Sequence, residues 1–186
     1  RRAADLIPES HGEAERWDSQ ARRILALLLH AAEISNRSMR DVVRWAGDPT
    51  IEARDEVIDA LLSVEIGGRD RAQVVRDFWR TNDRTRTSIT TTMATPLAWM
   101  SDDRARLLGD AHRDDPQLVD LTRLIERGET LHLIGHEDHT GLSPLIAALV
   151  AEIAHAARTL ASNRPGGRLD PPLTMLLDEA ALVCPV

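Results

Sequence analysis

The chain contains no lysine; all 23 of its basic residues are arginine. That absence removes, within these residues, the P-loop lysine, the Schiff-base lysine and the Ser-Lys dyad, and with them several ATP-binding and covalent mechanisms. Tyrosine is also missing, phenylalanine occurs once (Phe78), and the only cysteine is Cys184. A single cysteine excludes an intrachain disulfide and a multi-cysteine zinc site, and it fits a reducing compartment. The longest apolar stretches, such as Ile24 to Leu29 and Leu145 to Ile153, are too short or too interrupted to span a bilayer. No signal peptide is visible. The chain opens on Arg1 rather than Met, so we expect a piece of something longer, and any missing lysine is expected outside it.

What is present suits a folded domain. Apolar residues make up 42% of the 186 residues and charged residues 28%, so a sizeable core is possible and wholesale disorder is not expected. The length allows one compact domain or two small ones. The net charge of −7 does not favour nucleic acid globally, so any DNA contact must come from a local patch.

Residues 1–12 look like a loose lead-in, with Pro8 and Gly12 as breakers. A helix is expected from about Glu13 to Ile34, with Trp17, Ala21, Ile24, Leu25, Leu28 and Ala32 on one face. Ser38 with Asp41 three residues on forms a weak capping box, and Asp48-Pro49 ends that short helix. Thr50 can cap a helix reaching about Ile66, Gly67-Gly68 is a turn, and a helix follows over about 70–81. The threonine-rich stretch 83–100 has poor helix propensity, yet Ile89, Met93, Leu97 and Met100 keep a helical stripe. It is expected to be a helix kinked near Pro96. The Asp- and Gly-rich stretch 101–116 marks a candidate domain boundary.

After that boundary the pattern changes. Leu118 to Glu126 is expected as a short helix, Thr130–Gly135 as a buried strand, and Leu145 to Ser162 as a long Ala-rich helix opened by Ser143-Pro144. After a Pro/Gly loop, Leu173–Leu177 is expected as a second buried strand. Strand, helix, strand at this spacing is a βαβ unit with parallel strands and a right-handed crossover. The expected fold is therefore mostly α. An all-helical domain over 1–115 precedes a partial α/β segment over 116–186.

Three groups of residues can carry chemistry. The first is Leu173-Thr-Met-Leu-Leu-Asp178-Glu179, an apolar run ending in two acids, which is the Walker B pattern. A buried parallel strand delivers such an aspartate to its carboxyl end, where nucleotide sits in open α/β sheets. Asp178 would then hold Mg²⁺ through water, and Glu179 would orient or deprotonate the attacking water. The plainer alternative is a buried strand that ends in acidic loop residues. The second group is the stretch 69–86, with Arg69, Arg71, Arg76, Arg80, Arg84 and Arg86 against Asp70, Asp77 and Asp83. With Trp79 and the threonine hydroxyls it can meet phosphates; otherwise it is a solvated face of i,i+3 and i,i+4 pairs such as Arg80 with Asp77. The third group is His132, His136 and His139 with Glu137 and Asp138, whose spacing could bind a metal. The loop setting and lack of cysteine ligands argue against it, and no metal site is expected there. His30 is expected in a core or interface, and core packing is expected for at least three of the tryptophans 17, 45, 79 and 99.

Six stretches in order resemble the coupling proteins of type IV secretion, the conjugative DNA-transfer ATPases of the FtsK-like hexameric motor superfamily. They are Trp17-Asp-Ser-Gln-Ala-Arg-Arg-Ile-Leu-Ala-Leu-Leu-Leu-His-Ala-Ala, Arg37-Ser-Met-Arg-Asp-Val-Val-Arg-Trp45, Thr91-Thr-Met-Ala-Thr-Pro-Leu-Ala-Trp99, Thr130-Leu-His-Leu-Ile-Gly135, Pro144-Leu-Ile-Ala-Ala-Leu-Val and Pro172-Leu-Thr-Met-Leu-Leu-Asp-Glu-Ala-Ala181. The resemblance implies an all-α domain inserted into a RecA-like nucleotide-binding domain between its Walker A loop and Walker B. It implies Asp178 for Mg²⁺, Glu179 for the hydrolytic water, and nothing catalytic in 1–110. It implies ATP and Mg²⁺ as cofactors of the intact protein, and a homo-hexamer at the cytoplasmic face of the inner membrane. The implied partners are single-stranded DNA carrying relaxase, other relaxosome proteins and the secretion channel. The helical domain would contact that substrate through Arg80, Arg84 and Arg86. The piece itself, lacking the lysine half of the site, is expected to be soluble and inactive as an ATPase. The alternative expectation is a non-enzymatic helical module that docks a relaxase or auxiliary protein.

Overall fold

A computed structural model describes residues 1–7, 13–48, 50–111, 115, 118–134 and 140–178. Among these residues the protein is mostly α. The helices in chain order are α1 (Arg2–Leu6), α2 (Glu13–Ile34), α3 (Met39–Gly47), α4 (Ile51–Leu62), α5 (Gly68–Arg80), α6 (Asp83–Leu97), α7 (Asp103–Gly109), α8 (Leu121–Glu126) and α9 (Ser143–Ser162). Short 3₁₀ turns join α6 to α7 and lead into α9.

Helix α2 is the centre of the core. Its apolar residues recur at three- and four-residue spacing, and Ala21, Leu25, Leu28 and Ala31 are wholly buried against α3, α4 and α6. Burying each leucine contributes about 1.5–3 kcal/mol. Helices α4 and α5 form a close antiparallel hairpin through the turn at 63–67. Two glycines make that turn possible. Gly67 has φ of 73°, in the left-handed region, and a Cβ on Gly68 would sit 2.4 Å from the Leu61 carbonyl oxygen.

The helix boundaries follow local chemistry. Thr50 caps α4, its side chain accepting a hydrogen bond from the Ala53 amide. The Ser38 amide donates to Asp41 Oδ2 at 3.3 Å, the return half of a capping box on α3. The threonine run stays helical because Ile89, Met93 and Leu97 are buried against α2 and α3, while its hydroxyls bond back to the backbone. Ser88 Oγ donates to the Arg84 carbonyl at 3.1 Å, Thr90 Oγ1 to Arg86 at 2.7 Å and Thr92 Oγ1 to Ser88 at 3.0 Å. Pro96 falls in the last turn of α6, which then tightens into the 3₁₀ turn Ala98–Ser101.

Several expectations need correction. The lead-in contains α1, whose Ala3 and Leu6 are buried. Residues 118–120 precede α8 rather than forming its first turn, and α7 lies within the stretch 101–116. The two expected strands do not form a ladder: 130–134 and 173–177 are irregular among the described residues. Parallel strands are normally buried on both faces by neighbouring elements. Here Ile134 and Leu176 are 85% and 91% exposed, so that burial is missing. Gly135 lies outside the described residues.

Helix α9 is the other surprise. It has 20 residues, with mean hydropathy 1.4 over its best 18-residue window, so by length and composition alone it could cross a membrane. The uninterrupted run read from the sequence underrates it, because alanines extend its apolar character past Glu152. Core helices of water-soluble proteins pass the same test, and α9 buries Ile146, Val150, Ile153 and Ala157. It packs on α1, and Glu152 accepts a hydrogen bond from Arg1, with Arg2 Nε 3.6 Å away. Burial alone would raise the Glu152 carboxyl, but the Arg1 hydrogen bond and the charges of Arg2 and Arg1 outweigh it. The group is held below the usual carboxylate range.

Candidate functional site

The acidic candidate lies at the end of the irregular segment 172–178. Asp178 is exposed and sits in a turn. Glu179 lies outside the described residues. Asp178 shares a cleft of about 520 Å³ with Thr130, Leu131 and Leu133 from the first irregular segment and with Ile146, Val150 and Ile153 from α9. The two segments expected as strands therefore lie over the same face of α9 without pairing.

Among the described residues the charged lining of this cleft is Glu129 and Asp178, with no arginine. A carboxylate with hydroxyl neighbours Thr130 and Thr174 suits an oxygen-preferring hard cation such as Mg²⁺ held through water. A triphosphate is different, because no cation in the lining would balance it. Among the described residues the cleft is therefore acidic, with Asp178 and Glu129 and no basic side chain.

The histidine group is only partly visible. His132 is exposed, while His136, Glu137, Asp138 and His139 lie outside the described residues, as does Cys184. Among the described residues no three His, Cys, Asp or Glu side chains come together as a metal site. His30 on α2 faces α5, with its Nε2 3.2 Å from an Arg71 guanidinium nitrogen.

The basic stretch resolves into residues with distinct surroundings. Arg86 is committed to the backbone: one guanidinium nitrogen donates to the Trp79 carbonyl at 3.1 Å and to the Thr81 carbonyl at 3.4 Å. The other pairs with Asp83 at 2.7 Å. It closes the end of α5. Arg71 is engaged with His30. Arg69, Arg80 and Arg84 are exposed and Arg76 half-buried, and none of the four has a carboxylate within ion-pair distance among the described residues. The pair expected between Arg80 and Asp77 does not form, because Asp77 accepts instead from Gln73 Nε2 at 2.8 Å.

The aromatic residues do not assist. Trp45, Trp79, Trp99 and Phe78 are all buried, and Trp17 is half-buried with Arg16 over its ring at 5.5 Å. Core packing holds for three tryptophans, and Trp79 is no stacking platform for a base.

Sequence reasoning missed one polar cluster entirely. Glu56 on α4 accepts from Arg44 on α3 and from the buried Trp45 Nε1 at 2.9 Å. The hydrogen bond from Arg44, then the one from Trp45, holds the Glu56 carboxyl below its usual range. No spacing rule links residues on two helices, so nothing local marked this cluster. Compared with protein-family models, with curated proteins and with solved structures, the chain matches none.

Proposed function

We propose that the chain is part of a DNA-translocating coupling ATPase of the type that feeds conjugation and type IV secretion. Residues 1–115 would be its helical substrate-contacting domain. Residues 116–186 would belong to a RecA-like nucleotide-binding domain in which 130–135 and 173–177 become parallel strands. What supports this reading is the position of Asp178. It follows an apolar segment and shares one cleft with the apolar segment before α9, and paired as strands these two segments would put the aspartate at a carboxyl end, where Mg²⁺-bound nucleotide sits. ATP, Mg²⁺, hexamer formation and a place on the cytoplasmic face of the inner membrane belong to this proposal. So do the DNA, relaxase, relaxosome and channel partners.

The test has two arms. Sequence encoded upstream of Arg1 should carry a Gly-x-x-x-x-Gly-Lys-Ser/Thr loop preceded by membrane-spanning helices; the loop without those helices would indicate a soluble motor instead. In the protein that carries this loop, Asp178→Asn or Glu179→Gln should abolish Mg²⁺-dependent ATP hydrolysis, whereas the chain of 186 residues should show no turnover of its own. On the helical side, replacing Arg80, Arg84 and Arg86 by Ala should weaken single-stranded DNA binding and flatten its salt dependence. Unchanged binding would remove that contact from the proposal. The alternative, a docking module for a relaxase or auxiliary protein, draws on α7. There Leu107 and Leu108 are 70% and 67% exposed. Absence of both the upstream loop and the membrane helices would favour it.

A further inference from the structure

The arginines of the basic stretch that lack carboxylate partners are not scattered. At 100° per residue, Arg69, Arg76 and Arg80 fall within about 40° of one another around α5, with Gln73 beside them. Asp70 and Asp77 point roughly a quarter-turn away. The stripe from Arg69 to Arg80 is about 16 Å long at 1.5 Å rise per residue. Its C-terminal half opens on a cleft of about 560 Å³ between α4 and α5, lined by Arg54, Arg76 and Arg80 and by Asp55 and Asp59. Asp55 is already occupied by Arg54, whose guanidinium lies 2.8 Å away. Asp59 alone then faces Arg76 and Arg80 across the cleft, and it forms an ion pair with neither. Arg69, Arg76 and Arg80 therefore present surplus positive charge along one face.

We infer that the α5 face built on Arg69, Arg76 and Arg80, with Arg54 across the cleft, is a track for a phosphodiester backbone that reads charge and not bases. Two observations set that mode. Guanidinium groups are matched to phosphate oxygens by their fork of donors. And every aromatic ring of α5 is buried, so the face has no aromatic surface on which a base can stack. The face therefore takes single strands and duplexes of any sequence. This inference rests on the nucleic-acid reading above for its partner, but it moves the contact away from Arg86, which is spent on the backbone of α5.

Fluorescence anisotropy with labelled oligo-dT, oligo-dA and a mixed-sequence duplex tests it. Three phosphate contacts predict an affinity loss of about 20-fold for single strands and about 40-fold for duplex between 50 and 200 mM salt. The variant Arg69→Ala/Arg76→Ala should cut that loss to about threefold, whereas Arg69→Lys/Arg76→Lys should keep it. Arg104→Ala/Arg127→Ala removes equal charge elsewhere and should leave the salt dependence unchanged. Thermal melts of each variant separate lost binding from lost folding. An unchanged salt slope in Arg69→Ala/Arg76→Ala overturns the inference, as does an equal loss in Arg104→Ala/Arg127→Ala. A marked preference for oligo-dT over oligo-dA overturns the base-independent mode, and equally tight binding of polyglutamate overturns the choice of phosphodiester. If Arg80→Ala/Arg84→Ala/Arg86→Ala weakens binding while Arg69→Ala/Arg76→Ala does not, the α5 track fails and the nucleic-acid reading stands.

Discussion

Replacing Glu56 separates two roles of one carboxylate. Its side chain is 38% exposed, so its ion pair with Arg44 is screened and contributes about 0.5 kcal/mol. The hydrogen bond from Trp45 is different, because Trp45 is 1% exposed and Glu56 is the acceptor of its indole N–H. Leaving such a donor unpaired costs about 1–3 kcal/mol. Glu56→Gln keeps an acceptor for Trp45 and loses only the charge, so its cost should be about 0.5–1 kcal/mol. Glu56→Ala loses both and should cost about 2–3 kcal/mol. At about 2–4 °C per kcal/mol for a chain of this size, the melting temperature should fall by about 1–4 °C for Gln and about 4–12 °C for Ala. Acid adds a second readout. The native carboxyl is held below its usual range, so the unfolded chain binds the proton more readily and stability rises with pH across that window. The contribution is complete above the ordinary carboxylate range and is lost as pH falls through the lowered native value. Glu56→Gln should therefore show a shallower acid-side fall in melting temperature than the parent. Equal melting temperatures for Gln and Ala, or an unchanged acid slope in Gln, would refute the assignment of the energy to Trp45 and of the titration to Glu56.

Two further substitutions probe packing and capping. Gly109→Ala places a Cβ 2.5 Å from Met100 Sδ and 2.9 Å from the Trp99 ring. Overpacking of that kind should cost about 1–3 kcal/mol and show as a changed near-ultraviolet signal of Trp99 as well as a lower melting temperature. Thr50→Ala removes the cap of α4 and should cost about 1 kcal/mol in a denaturant melt, while Thr50→Ser should recover most of it.

The helices were legible because their apolar spacing and end signals are local. Leu25 and Leu28 declared the buried face of α2, Thr50 declared the start of α4, and Gly67 its turn into α5. What was not legible depended on partners distant in the chain. Leu131, Leu133 and Ile134 in one segment, and Leu173, Thr174 and Leu176 in the other, lie in short apolar runs bounded by turn signals, yet such runs cannot supply the neighbouring strands that would pair them. The five residues of α1 are too few to announce a helix and are fixed by packing on α9. In the basic stretch, counting charges treats all six arginines alike, whereas only the folded chain shows that Arg86 spends its donors on carbonyls. The helical period of Arg69, Arg76 and Arg80 was present in the sequence and was the stronger signal.

The contact between α1 and α9 bears on how the protein stays dispersed. Helix α1 packs on both α9 and α2. It is held by Ala3, Leu6 and Ile7 and by the pairing of Arg1 and Arg2 with Glu152. Such a unit opens at far lower free energy than the α2 core. Each opening uncovers the most apolar helix of the described residues and leaves its carboxylate without its arginines. Opening of this contact is thus coupled to loss of the Glu152 pairing, and conditions that protonate Glu152 weaken the clasp.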